Sequence, residues 1–418
     1  MSKPALPLGE TSRLPFWRRP QVLLFVMAAA MPVAFSTWSA LLNNFVISVA
    51  GFDGAHIGLL HTVREIPGFL AIGVIFVLMF LREQVLALLS LTLLGVATAV
   101  TAWFPSLGGI LVITLLSSIG FHYYETVNQS LQLQWIDRKR APQTLGWIAA
   151  AGSGATLVAY VLIVLTWRRF DLSYNFVYLV SGGFTAAVGL ACLFLYPMFE
   201  APHPQEKRLI LRRRYWLYYL LQFFAGARRQ IFIVFAGFMM VERFGFSVDE
   251  VTGLFLINLI ANMIFAPLMG RVVAKWGERR ALIFEYTGLV CVFLSYGGIY
   301  LFGWGVALAA SLYVIDHLFF ALAIALKTYF QKIADPADMA SQAGVAFSIN
   351  HIAAVVIPAA FGFLWLVSPS AVFLVGAAMA AASLALSLLI PENPSPQRVA
   401  LVGRWKALAP LAAREPAE

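Results

Sequence analysis

The side chains able to do chemistry in this chain stand inside long apolar stretches, where charge is unfavourable. A charge at membrane depth costs roughly 2.5–3.5 kcal/mol on insertion scales, so each one marks a function or an ion pair. The first group is His61, Arg64 and Glu65, followed by Pro67. His61 and Glu65 are i,i+4 and share a helical face, while Arg64 and Glu65 diverge by ~100°. Arg64 is therefore expected to pair across helices rather than with its sequence neighbour. The second group is a row: Ser118, His122, Glu125, Gln129 and Gln132. Their spacings of four, three, four and three put them on one helix face, widened by Tyr123, Tyr124 and Asn128. Such a row faces protein or water, and reads as a cavity wall or as interhelical hydrogen bonding. The third is the pair Arg228-Arg229. A guanidinium fork suits carboxylate or phosphate. Arg229 shares a face with Gln222 and Tyr218 and is expected in a cavity, with Arg228 turned toward a neighbouring helix. The alternative is that Glu65, Glu125 or Asp316 neutralises both.

Further polar groups recur in later stretches: the i,i+4 pair Asn258 and Asn262, then Tyr313, Asp316, His317, Lys327 and Gln331, then Ser348, Asn350 and His351. Solute recognition is assigned to Arg229, Arg228, Gln222, Gln129, Gln132, Asn258, Asn262, Asn350 and Tyr313. Proton handling is assigned first to Glu125 with His122, then to Glu65 with His61 and Arg64, then to Asp316 with His317. Glu285 lies near the start of its stretch and is expected to pair with the adjacent basic loop. The four histidines within spans lack ligand spacing, so no metal is expected. H-E-x-x-H, G-x-S-x-G and G-x-x-x-x-G-K-[ST] signatures are absent, so neither an enzyme nor a cofactor is expected. Without a nucleotide-binding motif, the energy source would be an ion or solute gradient.

The elements holding these residues follow from composition. The chain is 61% hydrophobic and 12% charged, against about half and a quarter in soluble domains, which indicates a polytopic membrane protein. Its net charge of +9 lies in short loops, a pattern that sets topology rather than binding nucleic acid. Cys192 and Cys291 fall inside apolar stretches and give no disulfide framework. Twelve helical spans fit, each able to cross ~30 Å of hydrocarbon. They run at about 21–46, 55–80, 84–103, 107–134, 142–167 and 174–198, then about 215–241, 249–270, 281–302, 304–331, 341–366 and 370–390. With both termini cytoplasmic, only Arg168, Arg169 and Arg243 of the 29 Lys and Arg fall in outside loops. Arg64, Arg228, Arg229 and Lys327 lie within spans, and the rest are inside. The expected layout is an N-terminal tail over 1–20, a six-helix bundle over 21–198, a basic cytoplasmic linker over 199–214, a second bundle over 215–391 and a cytoplasmic tail over 392–418. The N-terminus has no cleavable apolar leader and reads as a retained tail. The stretch Val399 to Leu408 suits an interfacial helix or a disordered tail.

The halves repeat. Gly51-Phe52 to Leu60 parallels Gly245-Phe246 to Phe255, and Asp137 to Gly146 parallels Asp335 to Gly344. Between spans eight and nine stands Gly270-Arg-Val-Val-Ala-Lys275-Trp-Gly277-Glu-Arg279-Arg280. This layout, with that loop, resembles the major facilitator superfamily. The loop has the superfamily's pattern of Gly, basic residue, Gly and further basic residues, with Ala274 where an Asp is usual. The resemblance implies an all-α fold of two six-helix pseudo-repeat bundles and alternating access around a central cavity, with Gly270, Lys275, Gly277, Arg279 and Arg280 in the conformational loop. The protein is then expected to be a monomeric secondary transporter of a small polar, anionic solute, coupled to protons, in the lipid bilayer of a bacterial inner membrane. One alternative is a proton-driven exporter of amphipathic compounds. Span five reads Gly146 to Gly154 with glycines and no proline, unlike the Gly-Pro-Gly signature of drug–proton antiporters. The other alternative is a non-transporting receptor or assembly factor of the same fold.

Overall fold

The computed structural model describes residues 6–70, 74–136, 141–200, 212–334 and 339–402. Among them the chain is helical, and the only β pairings are isolated bridges, Leu6 with Phe199 and Ser395 with Arg398. The first six long helices are α1 (Pro20–Ser48), α2 (Gly54–Phe69), α3 (Glu83–Val100), α4 (Leu107–Trp135), α5 (Ala141–Thr166) and α6 (Tyr174–Leu195). A short helix, Val74–Leu78, lies between α2 and α3. Helix α7 is composite: Trp216–Ile231, a π turn at Phe232–Ala236, then Gly237–Glu242. Helices α8 (Val248–Trp276) and α9 (Glu278–Phe302) follow. Helix α10 runs Val306–Phe320, passes through a 3-10 turn at Ala321–Ala323 and continues as Ile324–Ile333; α11 is Met339–Val367 and α12 is Pro369–Ser387. Eleven of these, all but α2, are long and apolar enough to cross a membrane among the described residues. Several sequence expectations lie outside the described residues: 201–211 of the linker, 137–140 and 335–338 of the second repeat marker, and 403–418 of the tail.

The first repeat marker has a physical reading. Gly51 and Gly245 have φ of +65° and +67°, the left-handed region that glycine enters without penalty. The next amide then reaches back six residues, Phe52 N–H to the Val46 carbonyl at 2.9 Å and Phe246 N–H to the Met240 carbonyl at 3.1 Å. Each Gly-Phe therefore closes one helix and turns the chain into the next. The next helix is capped within three residues. Asp53 accepts from the His56 amide at 2.9 Å, and Glu250 accepts from the Ser247 amide at 2.9 Å, variants of one capping box.

Packing repeats as well. Helix α3 lies against α4 and α6, as α9 lies against α10 and α12; α1 packs on α6 as α7 packs on α12. These are the same pairs six helices later, which defines a parallel repeat. At the α3–α6 crossing the backbones meet through glycine. A Cβ on Gly95 would lie 2.7 Å from the Gly182 carbonyl oxygen and 2.8 Å from the Ala186 Cα. By compactness the described residues fall into two units. One holds α1–α6 with Gly237–Ile257 and Pro358–Phe363; the other holds the described parts of 207–236, 258–357 and 364–418.

Candidate functional site

In the second unit the site grows from the register of α7. Leu217, Leu221 and Arg228 fall at i, i+4 and i+11, one stripe of the helix, and all three are buried. A charge on a core stripe must find partners, and Arg228, 2% exposed, finds them on two other helices. Its Nη2 lies 3.5 Å from Glu285 Oε1 on α9, and its Nη1 donates to Ser383 Oγ on α12 at 3.4 Å. The guanidinium carbon stands 5.0 Å from the Tyr286 ring centroid, a cation–π contact. A second carboxylate, Asp316 on α10, is fully buried and within electrostatic range of both Arg228 and Glu285. Among the described residues, neither Asp316 oxygen makes a hydrogen bond, and Glu285 Oε2 makes none. The expected pairing of Glu285 with the basic loop is thus corrected. Glu285 sits seven residues, about 10 Å at 1.5 Å per residue, inside α9, beyond reach of the loop. It is Glu278, at the start of α9, that meets a lysine there, Lys332 at 2.7 Å.

Arg229 is one residue and ~100° further round α7, and this turns it out of the core: it is exposed. Gln222, on the same face, is half-buried. Arg229 lies close enough to His317 for the two charges to interact. Asn350 of α11 covers the helix just below, since a Cβ on Gly226 would lie 2.6 Å from Asn350 Oδ1. Tyr313 is buried against Phe232, ring centroids 4.8 Å apart. Asn258 is buried and Asn262 exposed, so this i,i+4 pair has different environments.

In the first unit the polar residues of α2 and α4 meet. Glu65 Oε1 accepts from Arg64 Nε at 3.0 Å and from Nη2 at 2.5 Å. This corrects the expectation that Arg64 would pair only across helices. The ~100° between adjacent positions is spanned because the arginine stem is long and can curl back over its neighbour. The Arg64 guanidinium also stands 6.0 Å from the Trp38 ring of α1. Ser118 of α4 donates its hydroxyl to the Arg64 carbonyl and is 3.0 Å from His122 Nδ1. His122 and Glu65 offer ligand atoms within 4.8 Å of each other. His61 is buried, and its Nδ1 has no hydrogen-bond partner among the described residues. Further along α4, Glu125 is half-buried and Gln129, one turn on, is exposed. Gln132 is half-buried. The row of α4 is therefore divided: its start packs on α2, and Glu125 to Gln132 face a more open side. At the far end of the same unit Arg168 meets Asp249 at 2.9 Å and Glu250 at 3.2 Å, and these carboxylates raise its already high pKa.

The loop motif is a one-residue turn. Gly277 alone separates α8 from α9, with φ +80°. Gly270 ends no helix and sits within α8, Lys275 and Arg280 are exposed, and Arg279 is half-buried. Sequence reasoning overlooked Ser383, Tyr286 and Trp38, which partner the two arginines. Nothing in span twelve distinguishes Ser383 from other small helix-packing residues; Tyr286, beside a buried glutamate, was findable.

Comparison with known proteins adds the following. The family profile described as Major Facilitator Superfamily matches residues 23–358. No curated protein matches the sequence. Among solved structures, the nucleoside transporter NupG superposes with a TM-score of 0.69 at 15% identity, covering 88% of this chain and 98% of that one. A bacterial homolog of the human lysosomal transporter Spinster, inward-facing and occupied, gives 0.66 at 13% identity, covering 93% and 98%. A bacterial homologue of the iron transporter ferroportin, inward-facing, gives 0.68 at 10% identity, covering 90% and 99%. At these identities the likeness is one of fold.

Proposed function

The chain belongs to the Major Facilitator Superfamily, a family of alternating-access membrane transporters rather than enzymes, and we propose that its solute is a small polar anion moved together with protons. The observation that carries this reading is the exposure of Arg229 halfway along apolar α7. Its neighbour Arg228 is already matched by Glu285, so the adjacent arginine is not needed to balance that carboxylate. An exposed arginine at mid-span suits carboxylate or phosphate, whose oxygens accept its fork bidentately. Gln222 on the same face and Asn350 nearby supply neutral hydrogen-bonding groups. In this reading the protein is a monomer of the bacterial inner membrane, in two six-helix bundles (21–198 and 215–391), with both termini cytoplasmic on the evidence of its Lys and Arg distribution.

The coupling group in this reading is Glu125, half-buried on the polar row of α4. A coupling residue must bias the conformational equilibrium when it gains or loses a proton, and proton and solute must then affect one another reciprocally. Two experiments test the reading. In a thermal-shift screen, small carboxylates and phosphate monoesters should stabilise the protein while their neutral amide or alcohol analogues do not, and Arg229→Gln should remove that response; stabilisation by neutral analogues alone would refute an anionic solute. In proteoliposomes, Glu125→Gln should keep counterflow and lose accumulation driven by a pH gradient. Loss of both would make Glu125 a binding or architectural residue.

A further inference from the structure

The segment ahead of α1 is built onto the first unit. The Leu6 amide donates to the Met198 carbonyl at 2.7 Å, and the Glu200 amide donates to the Leu6 carbonyl at 3.0 Å, which makes the bridge with Phe199. Gln84 of α3 holds the same stretch, donating to the Pro197 carbonyl and accepting from the Phe199 amide, both at 2.9 Å. Leu6, Leu8 and Leu14 pack on the buried core that contains Leu24, Trp135 and Tyr196. The buried Thr11 hydroxyl donates to the Leu8 carbonyl at 2.7 Å. Arg19 closes the segment, donating to the carbonyls of Leu14 and Ser12 at 3.4 and 3.3 Å. Residues 6–19 are therefore a folded cap leading into α1, which starts at Pro20.

The groups this cap presents suit a membrane surface better than water. Phe16 and Trp17 are 74% and 51% exposed. They lie within four residues of a helix long and apolar enough to cross a membrane, and aromatic rings favour the headgroup level there. The Trp17 ring is steadied edge-on by Tyr196, centroids 6.5 Å apart. Arginines accompany both rings. The Arg18 guanidinium carbon is 5.6 Å from the Trp17 centroid, and that of Arg19 is 5.9 Å from the Phe16 centroid. Arg18 is half-buried, and its Nε is shielded from solvent without a hydrogen-bond partner among the described residues. No ion pair of the described residues involves Arg13, Arg18 or Arg19. The cap holds these three arginines against one acid, Glu10. A cation partly withdrawn from water and left without a counter-charge is incompletely satisfied, and phosphate matches the guanidinium fork.

We propose that Phe16–Arg19 form a site for one anionic phospholipid of the leaflet that α1 enters, with the headgroup phosphate on Arg18 and the Phe16 ring at the edge of the acyl chains. A soluble anion would use the arginine and leave both rings in water, whereas a bilayer lipid satisfies both. A zwitterionic headgroup brings its own cation, so the excess of arginine selects a headgroup of net negative charge. The site is preformed, because the cap is already bonded to α3 and to the chain leaving α6. The inference concerns the membrane and stands whichever solute is carried.

The test is quenching of Trp17 fluorescence by dibrominated lipid in liposomes holding the full-length protein. The Trp17 signal is the wild type minus Trp17→Phe, a variant that keeps an aromatic ring. Phosphatidylglycerol and phosphatidylcholine with matched chains are mixed, and each in turn carries the bromine. The wild type should prefer phosphatidylglycerol at this site by at least about fivefold, the scale of one arginine near an anionic surface. Arg18→Gln should bring that ratio down to about one, Arg18→Lys should keep part of it, and Arg168→Gln should leave it unchanged. Molar salt should weaken the wild-type preference. Absence of Trp17 quenching, equal quenching by the two lipids, or an undiminished preference in Arg18→Gln would overturn the proposal. Relief of quenching by glycerol phosphate or polyglutamate would assign the arginines to a soluble anion and overturn it as well. If Arg18→Gln does not fold, the salt series on the wild type decides, and a preference that survives molar salt counts against the site.

Discussion

In the first unit Arg64 finds its carboxylate one residue away on α2; in the second, Arg228 reaches from α7 to Glu285 on α9, and Asp316 on α10 lies within range of the same charge. The first pair keeps some contact with its surroundings, with side chains 16% and 9% exposed. The second is sealed, with pair members 2% and 3% exposed. A locally balanced, partly exposed pair has room to rearrange when a member is lost. A sealed set across three helices has none. The difference marks the first cluster as adaptable and the second as fixed to the packing of its unit.

The largest expected effect breaks that contrast directly. Arg228→Met leaves a buried carboxylate pair uncompensated and should destabilise the protein by about 3–5 kcal/mol, seen as a large fall in apparent Tm and folded yield. Arg64→Met should cost less, about 1–3 kcal/mol, the scale for one unpaired buried acceptor. Adding Glu285→Met to Arg228→Met should recover more than half of the loss, because the pair rather than either member satisfies the site. Equal losses for Arg64 and Arg228 would erase the distinction.

A second pair of variants sharpens the comparison at the corresponding helix crossings. At α3–α6, Gly95 abuts backbone, whereas at α9–α12 a Cβ on Gly297 would meet side chains, Leu374 at 3.0 Å and the Ser370 hydroxyl at 3.5 Å. Backbone cannot step aside and a leucine can rotate. Gly95→Ala should therefore cost about 1–3 kcal/mol, and Gly297→Ala distinctly less, both read as apparent Tm.

Smaller still is the outer pair of the first unit. Arg168 is 61% exposed beside Asp249 and Glu250, and exposed ion pairs are weak and screened by salt. Arg168→Gln should shift Tm slightly at low ionic strength and not at all in molar salt. A salt-independent shift would mean that Arg168 acts through packing.

Legibility in the sequence followed how locally each feature is determined. The helices were readable because each needs only its own apolar run, and the repeat because Gly51-Phe52 and Gly245-Phe246 perform the same left-handed turn. The row of α4 was readable from spacing, although spacing did not reveal that its first two residues pack on α2 while Glu125 and Gln129 face away. The register that buries Arg228 and exposes Arg229 is present in Leu217 and Leu221. The partners are another matter. Whether Arg228 meets Glu285, and whether Ser383 lies within reach, depends on how α9 and α12 cross α7. That crossing belongs to tertiary packing, which no single stretch encodes. Arg64 failed for the opposite reason: angular separation on a helix constrains Cβ directions, and a long side chain overrides it.

The central claim is that Arg229 recognises an anion while Arg228 serves structure. It is tested most directly in proteoliposomes loaded with a panel of labelled carboxylates and phosphate monoesters and their neutral analogues, comparing wild type with Arg229→Gln. The account predicts counterflow of at least one anion and of no neutral analogue in the wild type. It also predicts that Arg229→Gln reduces that anion's counterflow at least about a hundredfold, as expected when a charge-assisted bidentate contact is lost, at wild-type Tm. Undiminished anion counterflow in Arg229→Gln, or counterflow confined to neutral analogues, would contradict it.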